Sequence, residues 1–146
     1  MKKLLVTGLN GFVGRHLQAL LEGASSSWKL LESPAHDLLE PASLDVWLQD
    51  DCPDAVIHLA GQTFVPEAFR DPAQTIKVNL LGTLNLLQAL KRRGFAGTFL
   101  YVSSGDVYGQ VAEDELPIRE CRLPQPRNPY AVSKVAAELL CLQWSY

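Results

Sequence analysis

Thr7-Gly8-Leu9-Asn10-Gly11-Phe12-Val13-Gly14 decides the fold. It follows the short apolar run Lys3-Leu4-Leu5-Val6 and opens a helical stretch that begins near Phe12. An apolar run, a glycine turn and then a helix make up the phosphate-binding turn of a dinucleotide fold. Gly8 lets the chain reverse sharply. Gly11 has no Cβ, so a diphosphate can approach the backbone. Gly14 is expected to let the helix lie close to the first strand. The free N–H groups and the positive dipole end at the helix start then face the phosphates. Asn10, Phe12 and Val13 stand between these glycines and complete the expected cofactor contacts of the turn. The spacing is G-x-x-G-x-x-G rather than the commoner G-x-G-x-x-G. Three glycines also suit an ordinary loop, but the strand before and the amphipathic helix after favour the nucleotide.

The rest of the chain alternates strand and helix. Residues 12–21 carry Phe12, Val13, Leu17, Leu20 and Leu21 at helical spacing, and Gly23 with the serines after it ends the run. Residues 28–31 read as a second strand, and Asp37-Leu38 leads through Pro41 into a short helix over about residues 43–48. Cys52-Pro53-Asp54 is a turn, and Ala55-Val56-Ile57-His58-Leu59-Ala60-Gly61 is a third strand, apolar enough to be covered on both faces. Asp71-Pro72 starts the longest helix, with Asp71 as N-cap and Pro72 in the first turn. Ile76, Leu80, Leu84, Leu87 and Leu90 mark its stripe, and Gly94 ends it. Thr98-Phe99-Leu100-Tyr101-Val102 is a fourth strand running into Ser103-Ser104-Gly105. Residues 111–127, rich in acids and prolines, read as a surface loop, and Asn128-Pro129 caps a last helix over 130–144.

This alternation implies an α/β fold: a Rossmann-like, doubly wound parallel sheet with helices on both faces. Right-handed crossovers place the strands in the order 3-2-1-4. Residues 1–146 form one NAD(P)-binding domain on this reading. The sequence stops after a helix, where such a fold turns into its next strand, so the N-terminal part of a longer protein is expected, its substrate domain lying elsewhere.

Composition narrows the function classes. Apolar residues make up 47% and charged ones 20%, a globular balance. A net charge of −3 argues against a nucleic-acid surface. No apolar run approaches membrane-spanning length, and only Leu4-Leu5-Val6 follow the basic Met1-Lys2-Lys3, too few for a signal-peptide core. The scattered Cys52, Cys121 and Cys141 suit a reduced, cytoplasmic protein. His16, His36 and His58 show no metal spacing with them, so no metal site is expected.

The sharpest chemical signal is Tyr130-Ala131-Val132-Ser133-Lys134. At i and i+4, Tyr130 and Lys134 lie one turn apart on one helix face. A lysine ammonium beside a phenol favours phenolate, which suits an acid or base near neutral pH. Y-x-x-x-K alone is common. Here Ser103 and Ser104 end the fourth strand, Gly61 ends the third, and the glycine turn leaves the first. Ligands in open α/β sheets bind outside those carboxyl ends, so one crevice is expected to gather all four elements. His58 is expected to be a strand residue satisfied by backbone. Glu32 reads equally as an acceptor for adenosine ribose hydroxyls or as a solvated loop acid, and Arg70 as a phosphate contact or an exposed side chain.

These stretches resemble the extended, nucleotide-sugar-modifying branch of the short-chain dehydrogenase/reductase superfamily. The resemblance is carried by Thr7 to Gly14, His58-Leu59-Ala60-Gly61, Asn79-Leu80-Leu81-Gly82-Thr83, Ser103-Ser104-Gly105-Asp106-Val107-Tyr108-Gly109 and Tyr130 to Lys134, in the family's order. It implies that Tyr130 is the catalytic acid/base, that Lys134 holds the nicotinamide ribose and tunes Tyr130, and that Ser104 bonds the substrate carbonyl oxygen. Asn79 is similar to the family asparagine that supports the active site, Asp37-Leu38 to its adenine-binding position, and Leu59, Ala60 and Gly61 to its cofactor-lining strand end. The stretch from Gln62 to Pro72 resembles GDP-mannose 4,6-dehydratases and their reductase relatives. The dehydratases carry a glutamate two residues after the catalytic Ser/Thr; Asp106 stands here, one methylene shorter, a loss of roughly 1.5 Å of reach. Together with Arg127-Asn128-Pro129-Tyr130, the stretch from Ser103 to Gly109 is similar to the bacterial reductases that form GDP-D-rhamnose.

The expectation is therefore a reductase that delivers hydride from NAD(P)H to the C4 carbonyl of a GDP-linked 4-keto-6-deoxy sugar, with Asp106 binding a sugar hydroxyl or capping its own loop. A nucleotide-sugar dehydratase or epimerase using its cofactor transiently is the alternative within enzymes, and a non-catalytic NAD(P) sensor the alternative outside them. Val78 and Leu81 lie off the main stripe of the long helix, and the last helix is apolar on more than one side. With the resemblance, this implies a homodimer through the two helices.

Overall fold

The computed structural model describes residues 1–23, 27–31, 37–48 and 52–146. In chain order its main elements are β1 (Lys2–Thr7), α1 (Phe12–Gly23), β2 (Trp28–Leu30), α2 (Pro41–Trp47), β3 (Ala55–His58), α3 (Val65–Arg70), α4 (Pro72–Ile76), α5 (Gly82–Arg92), β4 (Thr98–Tyr101) and α6 (Pro129–Trp144). They divide into two compact units, Met1–Gly61 with Gly82–Val102, and Gln62–Leu81 with Ser103–Tyr146.

All four strands of the first unit are parallel. Leu4, Leu5 and Val6 make β1 apolar on both faces, and it takes an inner place. Lys3 pairs with Lys29 of β2 on one side and Leu5 with Val56 of β3 on the other, while β3 pairs His58 with Tyr101 of β4. The order is β2-β1-β3-β4, which corrects the expected 3-2-1-4. That expectation puts a strand beyond β2, but among the described residues the chain between β2 and β3 holds only α2 as a helix or strand. The strand after α2 pairs with the free edge of β1 instead. The order therefore reverses between β1 and β3, and their carboxyl ends flank the switch point where such sheets bind ligands.

Side chains alternate across the sheet. Leu5, Val56 and Phe99 face a core completed by Leu44 and Leu48 around α2 and by Leu86, Ala89 and Leu90 of α5. Burying one such leucine contributes about 1.5–3 kcal/mol. On the opposite side Leu17 and Leu21 of α1, with Leu4, Ile57 and Leu100, line an open groove of about 630 Å³. There Leu100 is 52% exposed.

Element ends differ from the sequence expectation for local reasons. Pro41 sits in the first turn of α2 and starts it two residues before Ser43. β3 stops at His58 rather than Gly61: Leu59 still donates its N–H to the Thr7 carbonyl as a paired strand does, but the Ala60 N–H goes to the Thr7 hydroxyl instead of continuing the ladder. Gly94, at φ +71°, follows α5.

The second unit packs α3 and α4 on α6. The helix α3 was absent from the sequence reading, which starts helix only at Asp71. There the cap is as expected: the Asp71 carboxylate accepts the Gln74 N–H at 2.9 Å. The segment Lys77–Leu81 is a π turn with Asn79 at its centre. Residues 111–127 are the surface loop expected, pinned by Arg122, which bonds the Glu115 carboxylate and the Gln110 carbonyl.

Candidate active site

The glycine turn belongs to the first unit. Gly8 adopts φ +77°, a conformation that favours glycine, and a Cβ there would lie 2.8 Å from the Ala60 nitrogen. The carbonyl of Gly8 accepts the Gly11 N–H at 3.0 Å, and the Gly11 carbonyl accepts from Arg15 in the first turn of α1. Among the described residues a Cβ on Gly11 would meet only the Gly8 oxygen, at 3.1 Å, and the backbone there is otherwise open. Gly14 is buried for another reason than expected: its Cβ would come within 2.3 Å of the Gly8 oxygen and 2.5 Å of Leu9 Cα. It lets α1 close on the turn itself rather than on the strand. Asn10, Phe12 and Val13 are exposed around it.

Five further expected cofactor positions stand in the same unit. Leu59 and Ala60 are partly buried and Gly61 exposed at the end of β3. Asp37 is exposed, with its carboxylate accepting the Leu39 N–H at 2.8 Å. Leu38 is a core residue, lying under Gly82 and accepting the Asn85 side-chain N–H on its carbonyl at 2.9 Å. Glu32 and His36 lie outside the described residues.

The acid/base candidates belong to the second unit. Asn128 caps α6, its side-chain oxygen accepting the Ala131 N–H at 2.7 Å, and Pro129 fixes the first turn. This starts the helix so that Tyr130, 8% exposed, and Lys134, 5% exposed, both fall on its buried side. Burial pulls the Lys134 ammonium below its ordinary value, against the Glu138 carboxylate, which raises it. The side-chain nitrogen of Asn128 also donates to the Asp106 carboxylate at 3.3 Å. Ser104 follows β4 and caps a 3-10 turn, Gly105–Tyr108. Its hydroxyl oxygen accepts the Asp106 N–H at 3.2 Å, which leaves the hydroxyl proton to be donated elsewhere. Ser103 Oγ is buried with no hydrogen-bond partner among the described residues. Arg70 pairs with Glu67 on α3 and is exposed.

Asn79 spends its side chain on protein. Its oxygen accepts the Gln62 N–H at 2.7 Å, and its nitrogen donates to the Gln62 carbonyl and to Ser133 Oγ, both at 2.9 Å. Ser133 in turn donates to the Tyr130 carbonyl at 2.7 Å. Asn79 thus supports the helix that carries Tyr130. Sequence reasoning named Asn79 but gave no role to Gln62 or Ser133, although both sit inside quoted stretches; only the fold shows that both meet Asn79. It quotes Thr7 and Thr83 in its stretches but gives neither a partner. His58 was expected to be satisfied by backbone, and its ring nitrogens instead meet these two hydroxyls, Thr7 at 2.6 Å and Thr83 at 3.0 Å. Among the described residues no group of histidines, cysteines and acids could hold a metal ion.

Residues 4–146 match the model of the NAD dependent epimerase/dehydratase family. The chain belongs to that family. It is 71% identical to the GDP-6-deoxy-D-mannose reductase of Pseudomonas aeruginosa, over 98% of this chain and 47% of that protein. The structure of RMD from Pseudomonas aeruginosa complexed with NADPH superposes with a TM-score of 0.95 at 70% identity, covering 99% of this chain and 50% of that one. The UDP-glucose 4-epimerase of Thermus thermophilus in complex with NAD gives a TM-score of 0.86 at 30% identity, over 98% and 50%. This chain of the epimerase/dehydratase family spans about half the length of the curated relatives it matches.

Proposed function

We propose that the protein is an NAD(P)H-dependent reductase of a GDP-linked 4-keto-6-deoxy sugar, producing GDP-D-rhamnose. One observation carries the reading: 71% identity to a GDP-6-deoxy-D-mannose reductase over nearly the whole chain, with the acid/base candidates on one helix. The turn fits a dinucleotide diphosphate: Gly8 packs it against the Ala60 peptide, and at Gly11 the missing Cβ leaves the backbone open to a phosphate. Gly8, Asn10, Gly11, Phe12, Val13 and Gly14 form that seat, with Asp37 and Leu38 toward the adenine and Leu59, Ala60 and Gly61 at the strand end. Residues 1–146 supply the dinucleotide half on this reading.

The bound nicotinamide would supply hydride to the carbonyl carbon. Tyr130 gives its proton to the carbonyl oxygen, Lys134 holds the ribose and the charge balance, and Ser104 donates its free proton to the developing oxyanion. Asp106, tied to Asn128, accepts from a sugar hydroxyl. The NADPH complex of the relative favours the phosphorylated cofactor. The test supplies GDP-mannose and, separately, its 4-keto-6-deoxy derivative with NADPH to the full-length enzyme. Oxidation of NADPH with the keto sugar alone is expected; dehydration of GDP-mannose at a comparable rate overturns the reading in favour of a dehydratase.

A cytoplasmic homodimer is proposed with it. No described helix is long and apolar enough to cross a membrane, and the three cysteines are free thiols. Leu81, Val132, Leu139 and Leu142 expose apolar surface along the two long helical segments. Sedimentation of the full-length protein showing a stable monomer on moderate dilution overturns the dimer.

A further inference from the structure

We propose that His58 is a positioning residue for the dinucleotide, fixed as its neutral Nε2–H tautomer so that the Thr7 hydroxyl holds the Ala60 peptide under the Gly8 turn. The proposal rests on the reading of that turn as the cofactor seat. Thr7 Oγ1 accepts the Ala60 N–H at 3.1 Å. Its own proton needs an acceptor, and His58 Nδ1 stands 2.6 Å away. Nδ1 is then an acceptor, so the ring proton sits on Nε2 and is donated to Thr83 Oγ1 at 3.0 Å. The ring is 2% exposed, between Phe99 and Tyr101 at 5.8 Å, so water has little access to exchange these roles.

This chain of bonds ends at the turn. The imagined Cβ of Gly8 lies 2.8 Å from the Ala60 nitrogen and 3.0 Å from the Leu59 carbonyl carbon. The turn therefore rests directly on the peptide that Thr7 grips. Movement of that peptide passes to Gly8 and, through the Gly8–Gly11 hydrogen bond, to the open backbone where the diphosphate sits. His58 acts through Thr7 and touches no ligand. An imidazole with both nitrogens bonded across β1, β3 and α5 fixes this geometry as an apolar core residue could not.

The two arms of the ring can be separated. The asparagine amide stands where Nδ1 does, and the glutamine amide reaches toward Nε2. His58→Asn keeps the Thr7 arm, and His58→Gln keeps the Thr83 arm. Both lose the ring, so both are expected to lower the thermal midpoint by similar amounts. NADPH affinity of the full-length protein should separate them: within about threefold of the parent for His58→Asn, and weaker by about tenfold or more for His58→Gln. Equal losses would show a purely structural residue and overturn the proposal. Two readouts do not depend on the cofactor. The His58 ring nitrogens should give NMR shifts of an unprotonated Nδ1 and a protonated Nε2, and Thr7→Val should speed hydrogen exchange of the Ala60 amide. The opposite tautomer, or unchanged exchange, overturns the hydrogen-bond assignment. A parent protein that binds neither NADPH nor NADH overturns the cofactor reading, and the positioning role with it.

Discussion

Tyr130 has one chemical feature that phenylalanine lacks, and its ring is already buried. Tyr130→Phe is therefore expected to fold and bind dinucleotide as the parent does, while kcat falls by about 10²–10⁴-fold. Turnover within a few-fold of the parent would remove Tyr130 from the chemistry. A second residue-scale outcome concerns Cys141, whose thiol burial pushes up to about 11 from an ordinary 9.0. The folded chain then holds a proton that the unfolded chain releases between these values. The stability this contributes is complete below pH 9 and is lost as pH rises through about 11. Cys141→Ala should flatten that alkaline fall in thermal midpoint; an unchanged fall would place its cause elsewhere. At this scale the sequence showed pairs close along one helix and hid pairs made by the fold. Tyr130 and Lys134 share a face by spacing alone. His58 and its partners are 51 and 25 residues apart, so only strand pairing and the approach of α5 reveal them.

Helix starts were legible because caps are local chemistry. Asp71-Pro72 and Asn128-Pro129 each put an acceptor before a proline, and both caps form. Asn128 does a second job by holding the Asp106 carboxylate. Asn128→Ala should therefore cost about 1 kcal/mol of stability, as cap losses do, and also raise KM for the sugar nucleotide. Asn128→Ser, which can still cap, should restore stability but not KM; recovery of both would show that the Asn128 grip on Asp106 plays no part in binding. The less regular elements were not legible. The six-residue α3 precedes the stronger signal at Asp71, and the sequence pattern gives it no stripe to announce it. The π turn at Lys77–Leu81 keeps Ile76, Leu80 and Leu84 at spacings that an α-helix also allows, so periodicity does not betray it. What it permits, the inward placement of Asn79, became visible only through Gln62 and Ser133.

For the whole molecule, the class of fold followed from alternation, but the strand order did not. Counting four strands cannot show which edge of β1 the third one takes, and here β3 pairs opposite β2. Nor does the sequence show that one side of the sheet is covered by α2 and α5 while Leu100 and its neighbours line an open groove on the other. The double grip of Asn79 on Gln62 has a consequence of a different kind. A protease must draw its substrate out as a free extended strand, and a residue whose N–H and carbonyl are both engaged resists that. The span around Gln62 should withstand brief digestion by chymotrypsin even though Phe64 is exposed there. Arg119, by contrast, is exposed in the long surface segment, its carbonyl held among the described residues only by the nearby Arg122 N–H, and offers trypsin a ready bond. Mass spectrometry of the earliest fragments is expected to find the nick after Arg119. The map of first cuts then becomes a reading of which peptide groups the fold has already engaged.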